Sequence, residues 1–226
     1  MEILRYKSGK SNIYFIKSAT GWMIIDAGMK KNPSGLYHFM KNSKITPCKV
    51  KLIIITHVHY DHLRLLDYLK FITSAPIFVH ESEADLLENG IMELPKARKW
   101  YASVATSAGR FFRSAINFKS VKADYTIKKS YDLRSWGFQA DIIHTPGHTK
   151  GSISVVFESG EAFIGDTCIN SFGKTVIPPF YNDGEMLLES MEKLNASGAV
   201  MFYPGHGKSF KIDKLHRSIS KLNKKN

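Results

Sequence analysis

The sequence predicts a mixed α/β (α+β) fold, a sandwich of β-sheets covered by helices. Three observations point there. Strand-like and helix-like segments follow one another in two similar halves, the pattern of sheets that bury a face under helices. Val50-Lys51-Leu52-Ile53-Ile54-Ile55 is rich in β-branched residues and apolar at nearly every position, as a strand buried on both faces requires. A length of 226 residues is ample for one large layered domain and short for two independent ones.

The elements follow in order. The stretches EILRY, NIYFIKS and WMIIDAG read as strands, with a turn at Thr20-Gly21. A helix is expected from Pro33 to about Lys41, then the strand Val50–Ile55, then a helix from Leu63 to Lys70. Pro76–Val79 reads as a strand and Glu81–Glu88 as a helix. From Tyr125 strand character returns, at Ala140–His144, Ser152–Phe157 and Glu161–Ile164. Asp183–Leu194 reads as a helix with Asn182 or Asp183 as N-cap and Gly198 at its C-terminal end. Ala199–Phe202 is a last strand, and KLHRSISKLNKKN an amphipathic terminal helix with a solvated tail.

One stretch stands apart, at about 93–122. From Leu94 to Lys122 it carries seven basic residues and no acidic ones, and Trp100, Tyr101, Phe111 and Phe112 recur at roughly helical spacing. It reads as a helical insertion within a single domain spanning 1–226, placed either over a cleft or at a subunit contact of a homodimer.

Composition narrows the function classes. No apolar run approaches the ~20 residues of a membrane helix, and the N-terminus has no apolar h-region, so neither a membrane span nor a signal peptide is expected. The two cysteines, Cys48 and Cys168, form no C-x-x-C pair, and a reducing cytoplasm is the expected location. A net charge of +12 favours anionic partners, although a solvated basic surface accounts for it equally well.

The chemistry concentrates in Thr56-His57-Val58-His59-Tyr60-Asp61-His62. With only nine histidines in the chain, three of them and an aspartate within six positions are poorly explained as an incidental polar turn. His57 and His59 share one side of an extended backbone, Asp61 is expected to continue that alternation, and His62 to start the next helix. One loop thereby offers nitrogen and oxygen donors in two directions. Imidazole and carboxylate suit zinc, iron or manganese, and zinc favours the histidine-rich side. His148 in a glycine turn, Asp166 in Ile164-Gly165-Asp166-Thr167 and His206 in Pro204-Gly205-His206-Gly207 all sit just after expected strands. His80 and His144 read as buried, hydrogen-bonded histidines, His38 and His216 as surface residues, and Cys168 as a packed thiol.

These residues resemble the metallo-β-lactamase superfamily of hydrolases. His57, His59, Asp61 and His62 match its H-x-H-x-D-H motif; Asp26-Ala27-Gly28, His148, Asp166 and His206 match its other motifs. The resemblance implies a four-layer αβ/βα sandwich with the site at one edge of both sheets. It implies one metal held by His57, His59 and His148 and another by Asp61, His62 and His206, with Asp166 bridging. Asp26, and Thr56 with it, would orient a ligand histidine from behind. Two ions ~3.5–4 Å apart would supply a hydroxide at neutral pH, with Asp61 helping to move its proton.

The resemblance also sorts substrates. Classical secreted β-lactamases carry cysteine where this chain has Asp166, and diiron oxygen-reducing members carry glutamate where it has His59. An aspartate bridge is typical of glyoxalase II-like thioesterases, lactonases and phosphodiesterases, but a counterpart of the C-terminal helical domain of glyoxalase II is not expected. The leading expectation is a two-zinc hydrolase of a small, anionic thioester, lactone or ester. A phosphodiesterase or nuclease, which the charge would suit, comes second. A non-catalytic metal-binding protein comes third, against the full ligand set. Arg64, following the motif where family members often have glycines, is expected at the cleft rim. Trp100, Tyr101, Phe111, Tyr181 and the loop from Cys168 to Tyr181, with Phe172 and Phe180, are candidate walls, and Arg110 or Arg113 a partner for an anion.

Overall fold

The computed structural model describes residues 1–93, 96, 118–171 and 173–224. The expected helices of the insertion, with Trp100, Tyr101, Arg110, Phe111, Phe112 and Arg113, lie outside the described residues, as does Phe172.

The described strands form two six-stranded sheets. The first runs in chain order: β1 (Glu2–Ser8), β2 (Ser11–Lys17), β3 (Trp22–Ile25), β4 (Val50–Ile54), β5 (Ile77–His80) and β6 (Tyr125–Ile127). Its first three strands are antiparallel, and β3 to β6 are parallel. Parallel neighbours need crossovers, and helices supply them. These are α1 (Ser34–Asn42), the short α2 (Tyr60–Leu63), α3 (Leu66–Thr73) and α4 (Glu81–Asn89). The second sheet has β7 (Ser130–Asp132), β8 (Ala140–His144), β9 (Ile153–Phe157), β10 (Glu161–Gly165), β11 (Met201–Pro204) and β12 (Phe210–Lys211), with β12 and β7 at its edges. Helices α5 (Gly184–Ala196) and α6 (Ile212–Asn223) complete this half.

Alternation along β4 shows how the layers stack. Leu52 and Ile54 join Met23, Ile25, Phe78, Ile142, Val155 and Phe163 in the core between the sheets. Ile53 and Ile55 join Leu36 and Met40 of α1 and Leu66 and Leu69 of α3 on the outer face. A third core unites Ala162, Ile164 and Phe202 with Leu187, Met191, Leu215 and Leu222 of α5 and α6. The result is helix, sheet, sheet, helix. Each fully buried aliphatic side chain contributes roughly 1.5–3 kcal/mol, so the central β4 is held from both sides.

Several expectations shift. The helix expected over Leu63–Lys70 is broken at Arg64-Leu65. There the Arg64 N–H donates to Gly28 O (3.0 Å) and the Leu65 N–H to Ala27 O (3.2 Å), tying the histidine loop to the Asp26 turn instead of to a preceding helical turn. Asp61 does not continue the extended alternation. The His62 N–H donates to His59 O (2.9 Å), and α2 already begins at Tyr60. The last long strand starts at Met201 and not Ala199, because the Val200 and Met201 N–H groups both donate to Gly160 O in a loop. Strands β6, β7 and β12 have only two or three residues each, too few for a period to show. Asp183 is the N-cap of α5, accepting from Met186 N (3.0 Å). Gly198, at φ 83°, follows that helix. In α6, Leu215, Ser218 and Leu222 are buried while His216, Arg217 and Lys221 are exposed.

Candidate metal centre

The expected donors converge from both sheets. Asp26 follows β3, His57 and His59 follow β4, His148 follows β8, Asp166 follows β10 and His206 follows β11. His57, His59, His62, His148 and Asp166 are all buried. Asp61 and His206 are partly exposed, which marks their side as the one that solvent reaches. Three groups of donors lie within 4.8 Å of one another: His57, His59 and His148; His57, His62 and Asp166; Asp61, His62 and His206. Asp166 stands between them. Its Oδ2 is 3.7 Å from His148 Nε2 and 3.3 Å from His206 Nε2, and its Oδ1 is 3.7 Å from His62 Nε2.

Close approach depends on Gly205. A Cβ there would lie 2.5 Å from Asp166 Oδ1 and 2.6 Å from His62 Cε1, so any larger residue would push the His206 loop off the site. Asp26 adopts φ 62°, a left-handed conformation that aspartate tolerates better than most residues.

The outer hydrogen bonds set the tautomers. Asp26 accepts from His62 Nδ1 (2.8 Å), from Thr56 N (2.8 Å) and from Thr56 Oγ1. With its own proton so directed, Thr56 Oγ1 accepts from His57 Nδ1 (3.1 Å). His148 Nδ1 donates to Phe180 O (2.8 Å) and His206 Nδ1 to Lys10 O (3.0 Å). Four imidazoles thus spend the Nδ1 proton outward and turn an Nε2 lone pair inward. His59 is reversed, its Nδ1 meeting His148 Nε2 at 3.1 Å.

This interior fits metal ions. Ring nitrogens face each other across 3.1 Å (His59 Nδ1 and His148 Nε2) and 3.2 Å (His62 Nε2 and His206 Nε2). His57 Nε2 and Asp166 Oδ1 are buried without a hydrogen-bond partner. Such groups are costly unless a cation or proton meets them. Burial holds His57, His59 and His148 below the usual imidazole range, His59 at about 3, with neighbouring imidazoles adding to the effect for His57 and His59. These rings are neutral and ready to ligate. Burial alone would lower His62 and His206 too, but Asp26 and Asp166 outweigh it for His62, and Asp166 and Asp61 for His206, which rises to about 10. Burial is likewise overcome at Asp61 and Asp166, which the imidazoles beside them hold low. Positive charge is therefore required on this side, as protons or as metal.

The family model for the metallo-beta-lactamase superfamily matches residues 7–206. The chain belongs to this superfamily. Among its relatives, a probable metallo-hydrolase of Streptococcus pyogenes is 27% identical over 207 residues, 89% of this chain and 81% of the relative. A probable metallo-hydrolase of Methanocaldococcus jannaschii is 28% identical over 217 residues, 94% of each chain. In structure, the B3 metallo-beta-lactamase BLEG-1 superposes with a TM-score of 0.74 at 23% identity, covering 98% of this chain and 99% of that one. TTHA1623 in a di-iron-bound form gives 0.69 at 20% identity, covering 96% and 98%. At these identities the structures show the fold: the two sheets and their flanking helices are those of the superfamily. The protein is a metallo-hydrolase, with a His/Asp cluster able to bind divalent metal.

Other residues fall outside the cluster. Arg64 lies between α2 and α3 with its guanidinium 5.3 Å from the Tyr60 ring. Tyr181, partly buried, follows Phe180, whose carbonyl holds His148. His80 and His144 stack on each other at 4.0 Å, bonded to Lys128 O and Lys150 O, although His144 is only partly buried. Cys168 is fully buried, which raises its thiol well above the usual range. His38 and His216 are exposed.

Two residues around the centre escaped the sequence. Glu83 of α4 is buried and accepts from Val58 N and Gly151 N. Burial raises its carboxyl above the usual value, against the donors. Asn12 of β2 donates to Pro204 O and Gly207 O on either side of His206. A helical glutamate and a strand asparagine carry no local mark of such partners. No helix among the described residues is long and apolar enough to cross a membrane.

Proposed function

We propose that the chain is a dinuclear metal-dependent hydrolase acting on a small thioester, lactone or ester. The observation that carries this is the outward-bonded Nδ1 of His57, His62, His148 and His206, which aims four lone pairs at a common space divided by Asp166. His57, His59 and His148 would hold one ion, and Asp61, His62 and His206 the other, with Asp166 between. Zinc suits this donor set, and iron or manganese is compatible with it. The di-iron form of TTHA1623 supports two ions in this fold. Two divalent ions supply Lewis acidity, making water nucleophilic at neutral pH and polarising the substrate oxygen.

The chain's own groups do the rest. Asp61, partly exposed with Oδ2 3.1 Å from His206 Nε2, is placed to accept a proton from the attacking water and pass it on. Asp26 and Thr56 keep the rings of His62 and His57 in register. No serine or cysteine nucleophile is needed, and Cys168 is buried in the third core. Arg64 and Tyr181 are candidates for substrate contact, together with Trp100, Tyr101 and Phe111. A reducing cytoplasmic location suits the free Cys48 and Cys168.

A phosphodiesterase or nuclease is the second reading. The net charge of +12 favours it, as do the exposed Arg5, Lys10 and Lys208 around the His206 loop. One panel separates the two: thioesters, lactones and bis-(p-nitrophenyl) phosphate, assayed with the zinc-loaded protein. Turnover confined to the carbonyl substrates supports the first reading, and turnover confined to the phosphodiester replaces it with the second.

A further inference from the structure

Glu83 belongs to neither group of donors, yet it touches both loops that carry the first. Its Oε2 accepts from the backbone N–H of Val58, the residue between His57 and His59. Its Oε1 accepts from Gly151 N at 3.1 Å, and the Thr149 hydroxyl beside His148 also bonds to it. One carboxylate therefore holds the β4 loop of the first sheet against the β8–β9 loop of the second. Gly151 leaves room for this, since a Cβ there would come within 2.7 Å of the Glu83 side chain. The Ile153 N–H donates to Thr56 O (2.9 Å) between the same two segments, and Glu83 adds a second link that needs both of its oxygens as acceptors.

The second group has a separate clamp. Asn12 Nδ2 donates to Pro204 O (2.9 Å) and Gly207 O (3.0 Å), and the Asn12 N–H donates to Gly205 O (2.8 Å). Tyr14 Oη adds a bond to Pro204 O (2.8 Å). These bonds fix the His206 loop against β2 and do not reach His59 or His148. Glu83 and Asn12 thus divide the site between them.

We propose that Glu83 is a positioning residue that sets the affinity of the metal position formed by His57, His59 and His148, independently of the position formed by Asp61, His62 and His206. This rests on the two-metal reading above. Glu83 touches neither substrate nor metal; it acts by holding the two backbones at the separation that three converging nitrogens require. Residues that orient ligands in this way are worth about 10–100-fold in metal affinity.

The test is a titration of the metal-free protein with Zn²⁺ against a chromophoric chelator, with cobalt(II) spectra to identify the occupied position. Glu83→Gln keeps the side-chain volume but turns one acceptor oxygen into an NH₂ facing a backbone donor, releasing one loop. The affinity for one ion should fall by about 10–100-fold while the other stays near wild type. The cobalt spectrum of the surviving ion should match that of His148→Ala. Asn12→Ala should weaken the opposite ion, leaving a spectrum like that of His206→Ala. Wild-type affinity for both ions in Glu83→Gln would overturn the proposal, as would equal loss of both. Fewer than two ions in the wild type would overturn the two-metal reading itself, and that outcome is visible before any variant is examined. Should Glu83→Gln not fold, Thr149→Val, which removes one donor and keeps the carboxylate, reads the same selectivity.

Discussion

Asp26 Oδ2 lies 2.8 Å from His62 Nδ1, and the same carboxylate reaches His57 through Thr56. One buried aspartate therefore fixes a ring in each of the two donor groups. Asp26→Asn tolerates the left-handed backbone but weakens both links, since the amide replaces one acceptor oxygen with a donor. Metal affinity should fall by about 10–100-fold, read by competition against a chelator, with the fold preserved by circular dichroism. Unchanged affinity would show that these bonds do not orient the ligands.

His59→Ala should abolish hydrolysis. It removes one of the three nitrogens of the first donor group without touching the apolar layers on either side of the first sheet. Full activity in this variant would sink the mechanism.

Removing metal should destabilise the protein. An ion present at 100 times its dissociation constant adds about 2.7 kcal/mol. For a domain of this size that is roughly 5–10 °C in Tm, at about 2–4 °C per kcal/mol. Calorimetry with and without a chelator measures it, and reloading should restore the higher value. Because the ligands bind metal deprotonated, this gap should narrow as pH falls.

Asp124 supplies a pH test away from the metal. It accepts from Lys70 Nζ (2.7 Å) and Ile77 N (2.8 Å), tying α3 to β5. Burial is the largest single influence and opposes the charged form, but Lys70 and the Ile77 N–H together outweigh it and lower the carboxyl. A depressed carboxyl stabilises the fold above its unfolded pKa, near 3.9, and loses that contribution as pH falls through the lower folded value. The site is well exposed, so the effect is about 1 kcal/mol. Asp124→Asn should be less stable than wild type to urea at pH 7, and the two should converge as pH falls below the unfolded value near 3.9.

The histidine motif and the later donors were legible because each follows an apolar strand, and strand ends are where loops carry chemistry. The buried strand at Val50–Ile54 was legible from β-branching alone. The kink at Arg64-Leu65 was not, because its cause is a pair of carbonyls from Ala27 and Gly28, distant in sequence. Nor was Gly205 legible as a spacing residue, since its φ is ordinary and only the approach of Asp166 and His62 demands it. Glu83 and Asn12 were missed for the same reason: their partners are backbone groups brought near by the packing of one sheet on the other.

The central claim is two metals divided by Asp166. Elemental analysis of the zinc-reconstituted protein, after removal of loosely bound ions, tests it most directly. Close to two ions per chain in the wild type, falling towards one in His148→Ala, is the predicted result; a single ion in the wild type would contradict it.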